Sequence, residues 1–76
     1  MALLQGKCLL RDLRESVGFT QADLSTQLMD LYGVSISTSH LSRIERGERP
    51  MTTLQKRAVC LVLNCTERDL YEWILT

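Results

Sequence analysis

Ser37-Thr38-Ser39-His40-Leu41-Ser42-Arg43-Ile44-Glu45-Arg46-Gly47 (STSHLSRIERG) is the stretch on which the reading of this chain turns. Ser37 is an N-cap candidate, since its hydroxyl can accept from a free amide of a first helical turn. Leu41 and Ile44 stand three apart and give a short helix one apolar face. Gly47 supplies the stop. Thr38, Ser39, Ser42, Arg43 and Arg46 fall mostly off the apolar face. Ser and Thr are poor interior helix formers. A helix that accepts that propensity cost presents short hydrogen-bonding side chains and arginines to something outside it.

Upstream, Thr20 with Asp23 forms a capping-box pattern, and Phe19 and Leu24 have the spacing of a hydrophobic staple. Leu24, Leu28 and Leu31 then predict one apolar stripe on a second helix ending near Tyr32, with Gly33 in the left-handed closing position. Val34-Ser35-Ile36 is a short link whose Ile36 points to the core. Before Gly18, the recurrence of Leu3, Leu10, Leu13 and Val17 predicts a first helix over about Leu3 to Val17, with Lys7, Arg11, Arg14 and Glu15 away from its apolar face. Downstream, Glu48-Arg49-Pro50 reads as a turn. Thr52 and Gln55 cap a fourth helix with Leu54, Ala58, Leu61 and Val62 as its stripe, closing at Asn64. Thr66 and Asp69 then predict a fifth helix over roughly Glu67 to Leu75, too short to stand unless packed on a neighbour. The pattern is all-α: a compact single domain of five helices over residues 1–76.

Size agrees. The chain has 76 residues, 45% of them apolar, enough for one modest core. No apolar run is long enough to span a bilayer, and the first residues lack the form of a signal peptide, so the cytoplasm is the expected compartment. Cys8, Cys60, Cys65 and the single histidine fit no zinc-site spacing. No metal or cofactor is expected, and the cysteines read as reduced, buried thiols. Formal net charge is zero, but it is unevenly spread. Arg43, Arg46, Arg49, Lys56 and Arg57 outnumber Glu45 and Glu48 in the centre, while Glu67, Asp69 and Glu72 outnumber Arg68 in the tail. Distribution, more than the sum, decides what a surface attracts.

Two consecutive helices with a short link suit double-stranded DNA. A helix fits the major groove and brings side chains to base edges, while the preceding helix crosses the backbone. Gln21 opens the second helix, placed for a backbone contact. Thr38 and Ser39 sit in the first turn of the third, and Arg43 one turn on, where an arginine can grip guanine bidentately. Arg46, Arg49, Lys56 and Arg57 read as phosphate neutralisers.

The sequence also resembles the Cro/cI-type helix-turn-helix regulators, known too as xenobiotic-response-element-like regulators. The likeness lies in Thr20-Gln21-Ala22-Asp23-Leu24-Ser25, in Leu41-Ser42-Arg43-Ile44-Glu45-Arg46-Gly47, and in Leu54, the Leu61/Leu63 region and Leu70. It implies a lambda-repressor-like domain whose second and third helices form the helix-turn-helix. It implies base contacts from Thr38, Ser39 and Arg43, assisted by Ser42, and backbone contacts from Gln21 and the capping Ser37. Glu45 would be structural, paired with an arginine of the domain, and Gly47 would free the exit turn. The family's small members commonly bind palindromic operators as homodimers and regulate transcription, and a repressor is the role expected of this chain. The segment from Leu28 to Ser37 is longer than the family's usual approach, which implies a second helix extended by about a turn.

Plainer readings stand beside these. Thr38 and Ser39 could serve only capping and solubility, and the arginines could be a solvated face. His40 suits a surface position better than a base contact. Leu70, Tyr71, Trp73 and Ile74 could close the core, form a symmetric dimer interface, or both. The competing functional class is an antitoxin or protein-binding adaptor on the same helical scaffold. Enzyme chemistry is not expected. Ser39 and His40 are adjacent on a helix and do not face each other, and the four glycines form no phosphate loop.

Overall fold

The computed structural model describes residues 1–76. In chain order it contains strand β1 (Leu3–Cys8), helices α1 (Leu10–Ser16), α2 (Gln21–Tyr32), α3 (Thr38–Glu45) and α4 (Thr53–Leu63), a 3₁₀ turn (Glu67–Leu70) and strand β2 (Tyr71–Leu75). There are four α-helices, not the five expected, and the two ends of the chain pair as a two-stranded antiparallel sheet.

The central elements follow from their caps. Thr20 Oγ1 accepts from the Asp23 amide at 3.0 Å, and Asp23 Oδ2 accepts from the Thr20 amide at 2.9 Å. Thr52 and Gln55 exchange the same pair of bonds at the start of α4. Gly33 closes α2 at φ +65° and Asn64 closes α4 at φ +53°, the left-handed conformation that satisfies the last carbonyls. Helix α2 is 12 residues long and ends at Tyr32, as the long approach to Ser37 implies. Leu10, Leu24, Leu28, Ile36, Leu41, Ile44, Val59 and Leu70 are fully buried and form the centre of the core.

Two expected helices are corrected. The first is helical only from Leu10; Leu3–Cys8 is strand. The fifth is one 3₁₀ turn followed by strand. The pairing register is Leu3 with Leu75, Leu4 with Ile74 and Gln5 with Trp73, then a one-residue bulge on β1 before Cys8 meets Tyr71. A short apolar run does not by itself separate helix from strand, and pairing between the two ends settles it. Gly6 would weaken a helix. Here it sits where a Cβ would lie 3.0 Å from Glu72 Cβ and 3.1 Å from Ile74 Cδ1, so its lack of a side chain lets β2 approach. Tyr71, Trp73 and Ile74 are strand-favouring types. At Thr66 the carboxylate of Asp69 accepts from both the amide and the hydroxyl, each at 2.9 Å, and the Asp69 amide bonds the Thr66 carbonyl at 2.9 Å, closing a tight turn.

Two helix faces are also corrected. Leu31 on α2 is exposed, as are Leu54 and Leu61 on α4. The buried face of α4 is Ala58, Val59, Cys60 and Leu63. That helix is apolar almost all round, so periodicity does not select its inner side.

Candidate nucleic-acid interface

Helix α3 is fixed against α1 and α2 through its cap, its apolar face and its last turn. Ser37 caps it, its Oγ accepting from the His40 amide at 3.1 Å, and Leu41 and Ile44 bury its inner face. Glu45, in the last turn, is the second anchor. Arg14 of α1 grips its carboxylate in a fork, Nε to Oε2 at 2.9 Å and Nη2 to Oε1 at 3.0 Å. The third arm of the guanidinium, Nη1, donates to the Phe19 carbonyl at 2.7 Å. Gln21 Nε2, from the first turn of α2, donates to Glu45 Oε1 at 3.1 Å. Both charged side chains are almost inaccessible, at 9% and 4% exposure. The hydrogen bond to Glu45 raises the Arg14 pKa above its ordinary value, outweighing the opposing effect of burial. No buried side-chain polar atom in the molecule lacks a partner, so this is a fully satisfied network joining three helices. Ser25 adds a further tie, its hydroxyl donating to the Ile36 carbonyl at 2.6 Å and fixing the link that leads into α3.

Arg14 and Ser25 are the positioning residues that sequence reasoning missed. Periodicity set Arg14 on a solvent face of a long first helix. The available signal was Glu45, an acid at the end of a short helix whose implied partner was an unnamed arginine.

The outer surface is gathered by this frame. Gln21, Thr38, Ser39, Ser42, Arg43 and Arg46 line one shallow concavity of about 360 Å³ with no apolar residue in its wall. Thr38, Ser39, Arg43 and Arg46 are exposed, and Ser42 and Gln21 half-buried. Within this cluster Arg46 pairs with Glu48 at 2.7 Å on the surface. The other cations of the centre of the chain are distributed elsewhere. Arg49 is exposed in the turn after α3. Lys56 lies over the Tyr71 ring, its ammonium 5.8 Å from the centroid, and Arg57 pairs with Glu67 at 3.6 Å. Lys56 and Arg57 therefore sit beside β2 and the 3₁₀ turn, not with the α3 cluster. Of the four salt bridges, none engages Arg43 or Arg49.

The sequence pattern of the helix-turn-helix domain family matches residues 8–73. The chain belongs to the helix-turn-helix domain family. The match starts at the last residue of β1 and runs into β2, so it takes in the whole helical body. No curated protein matches the chain. A helix-turn-helix domain is a non-catalytic regulatory module whose architecture is consistent with DNA binding. The side chains agree: Glu45, the only acid near Ser39 and His40 in sequence, is committed to Arg14 and Gln21. No helix of this helix-turn-helix domain is long and apolar enough to cross a membrane.

Proposed function

We propose that this helix-turn-helix domain is a Cro/cI-type transcriptional regulator, acting in the cytoplasm as a repressor, that reads a specific double-stranded DNA sequence through the major groove with α3. The observation that carries the reading is the polar concavity formed by Gln21, Thr38, Ser39, Ser42, Arg43 and Arg46. It gathers hydroxyl, amide and guanidinium groups on one surface, the donor and acceptor types that base edges and phosphates accept. Arg43 is exposed and free of any carboxylate, so its fork is available for guanine. Thr38, Ser39 and Ser42 complete the base-reading set. Gln21, Arg46 and Arg49 face the backbone, with Ser37 at the helix start and Lys56 and Arg57 as outlying contributors to phosphate neutralisation. Two copies on a palindromic operator bring two α3 helices to half-sites about one helical turn apart.

Selection from a random duplex pool tests this directly. The expected result is an enriched two-fold motif. Arg43→Ala then loses discrimination at one base position by about 1–3 kcal/mol. Arg49→Ala weakens all sequences alike and flattens the salt dependence by about 0.9 in log–log slope. No enrichment, together with binding that is indifferent to salt, would overturn the reading and leave a protein-binding role for the same surface.

A further inference from the structure

Two of the three free thiols meet at the end of α4. Asn64 takes the left-handed conformation at φ +53°, and the Cys65 amide then reaches back to the Cys60 carbonyl at 3.0 Å. This is the closing bond of a Schellman motif, in which the bonded pair commonly brings its side chains into apolar contact. Here both members of the pair are cysteine. Cys60 is 7% exposed, and the half-buried Cys65 packs on the core cluster that contains it. Both line one surface concavity of about 400 Å³, together with Arg57, Asn64 and Glu67. A small solute can therefore reach Cys65, with Cys60 behind it. Burial raises both thiol pKa values, but the interaction between the thiols acts in opposite senses. It raises Cys60 further, to about 12, and favours the thiolate of Cys65. Neither thiol takes part in the network that holds α3, and Cys8 lies elsewhere, opposite Tyr71 in the ribbon.

We infer that Cys60 and Cys65 are an oxidant-responsive dithiol, closing under a hydroperoxide to an intramolecular disulfide that staples the end of α4 to the turn leading into β2. Cys65, the more accessible sulfur, reacts first. Its thiolate attacks one oxygen of hydrogen peroxide and the O–O bond breaks. The departing hydroxide takes up the proton that Cys65 released and leaves as water, and Cys65 becomes a sulfenic acid. The Cys60 sulfur then attacks the Cys65 sulfur. The S–S bond forms, the S–O bond breaks, and the hydroxide leaves with the Cys60 proton as a second water. The thiols lose two electrons in all, and the peroxide gains them. Only the thiolate attacks, and burial keeps both thiols mostly protonated, so the first step is slow and the pair answers sustained exposure. The second step joins neighbours already held together by the backbone, so it outruns further oxidation of the sulfenic acid. In a reducing compartment, disulfides of this kind are characteristically transient and sensing.

Hydrogen peroxide added to the intact, fully reduced chain tests the inference. The expected product is lighter by two hydrogen atoms, restored by dithiothreitol, with peptide mapping that joins Cys60 to Cys65 and a Cys8 still open to alkylation after denaturation. Cys60→Ser is expected to stop at a Cys65 sulfenic acid that dimedone labels, Cys65→Ser to lose the reaction, and Cys8→Ser to leave it unchanged. A second measurement needs no variant. Cysteines this close in sequence pair to some extent in any chain, so the equilibrium of the disulfide with glutathione is compared in the folded chain and in urea. The constant is expected to be at least about tenfold larger in the folded chain, a reduction potential about 30 mV lower. Slower amide exchange at Cys65 and Asp69 in the oxidised chain reports the staple. An equal or smaller constant in the folded chain would overturn the inference. So would a disulfide to Cys8 or to a second chain, oxidation that runs on to sulfinic or sulfonic acid at separate cysteines, or amide exchange unchanged by oxidation.

Discussion

Removing the Arg14 side chain leaves the Glu45 carboxylate buried against Gln21 with no counter-charge. Arg14→Ala is therefore expected to destabilise the domain by about 3–5 kcal/mol, the cost of breaking a buried ion pair, as measured by urea unfolding. Gln21→Ala removes one neutral donor from the same carboxylate, and its effect is expected to be smaller. Glu45 was legible as a structural residue because its place in the LSRIERG stretch implied an arginine partner. Arg14 was not, since charge on an apparently long amphipathic helix looks solvent-facing. The thiols are a further test at this scale. Burial raises all three cysteine pKa values, and for Cys60, where the neighbouring Cys65 thiol adds to burial, the value is pushed up to about 12. Since the thiolate is the reactive form, alkylation at pH 7.5 is expected to be slow in the folded chain and to reach all three cysteines after denaturation, as counted by intact mass.

The helix starts are where sequence and structure agree best, because a cap is a local event between residues three apart. Thr20 with Asp23, Ser37, and Thr52 with Gln55 all make the predicted bonds. Such bonds carry a pH signature. Hydrogen bonds from Thr20 and Thr66 hold the Asp23 and Asp69 carboxylates below the ordinary value of 3.8. A depressed carboxylate favours the folded state above its unfolded pKa and loses that contribution as pH falls through the folded value. Thermal stability is therefore expected to drop as pH falls below about 4, and Asp23→Asn to reduce that drop while lowering stability at neutral pH. The two terminal elements were misread for a different reason. The local signals, a helix-weakening Gly6 and the strand-favouring Tyr71, Trp73 and Ile74, are weak; Leu3–Cys8 and Tyr71–Leu75 are each strand because the other lies beside it. Gly6→Ala tests that pairing. The added methyl meets Glu72 and Ile74 at about 3 Å, an overpacking expected to cost about 1–3 kcal/mol. The readout is faster amide exchange at Leu4 and Ile74 with the helix signal retained.

At the scale of the whole molecule, the chain separates into a body and a projection. Helix α2 packs against both α3 and α4, and Arg14 and Glu45 tie α1 to α3, whereas the ribbon joins residues as far apart as Ala2 and Thr76. That difference sets an order of assembly. Contacts between distant residues are rewarded only after the intervening chain has been drawn together, so the helices must be in place before the two ends can meet. The ribbon is then the last part to close and the first to open. In a kinetic experiment, Gly6→Ala is expected to accelerate unfolding and leave the folding rate almost untouched, while Leu41→Ala, in the centre of the core, slows folding as well. The same lateness leaves the unpaired ends, with their uncharged run of leucines, as the sticky part of a newly made chain, held apart from neighbours only until the body has brought them together.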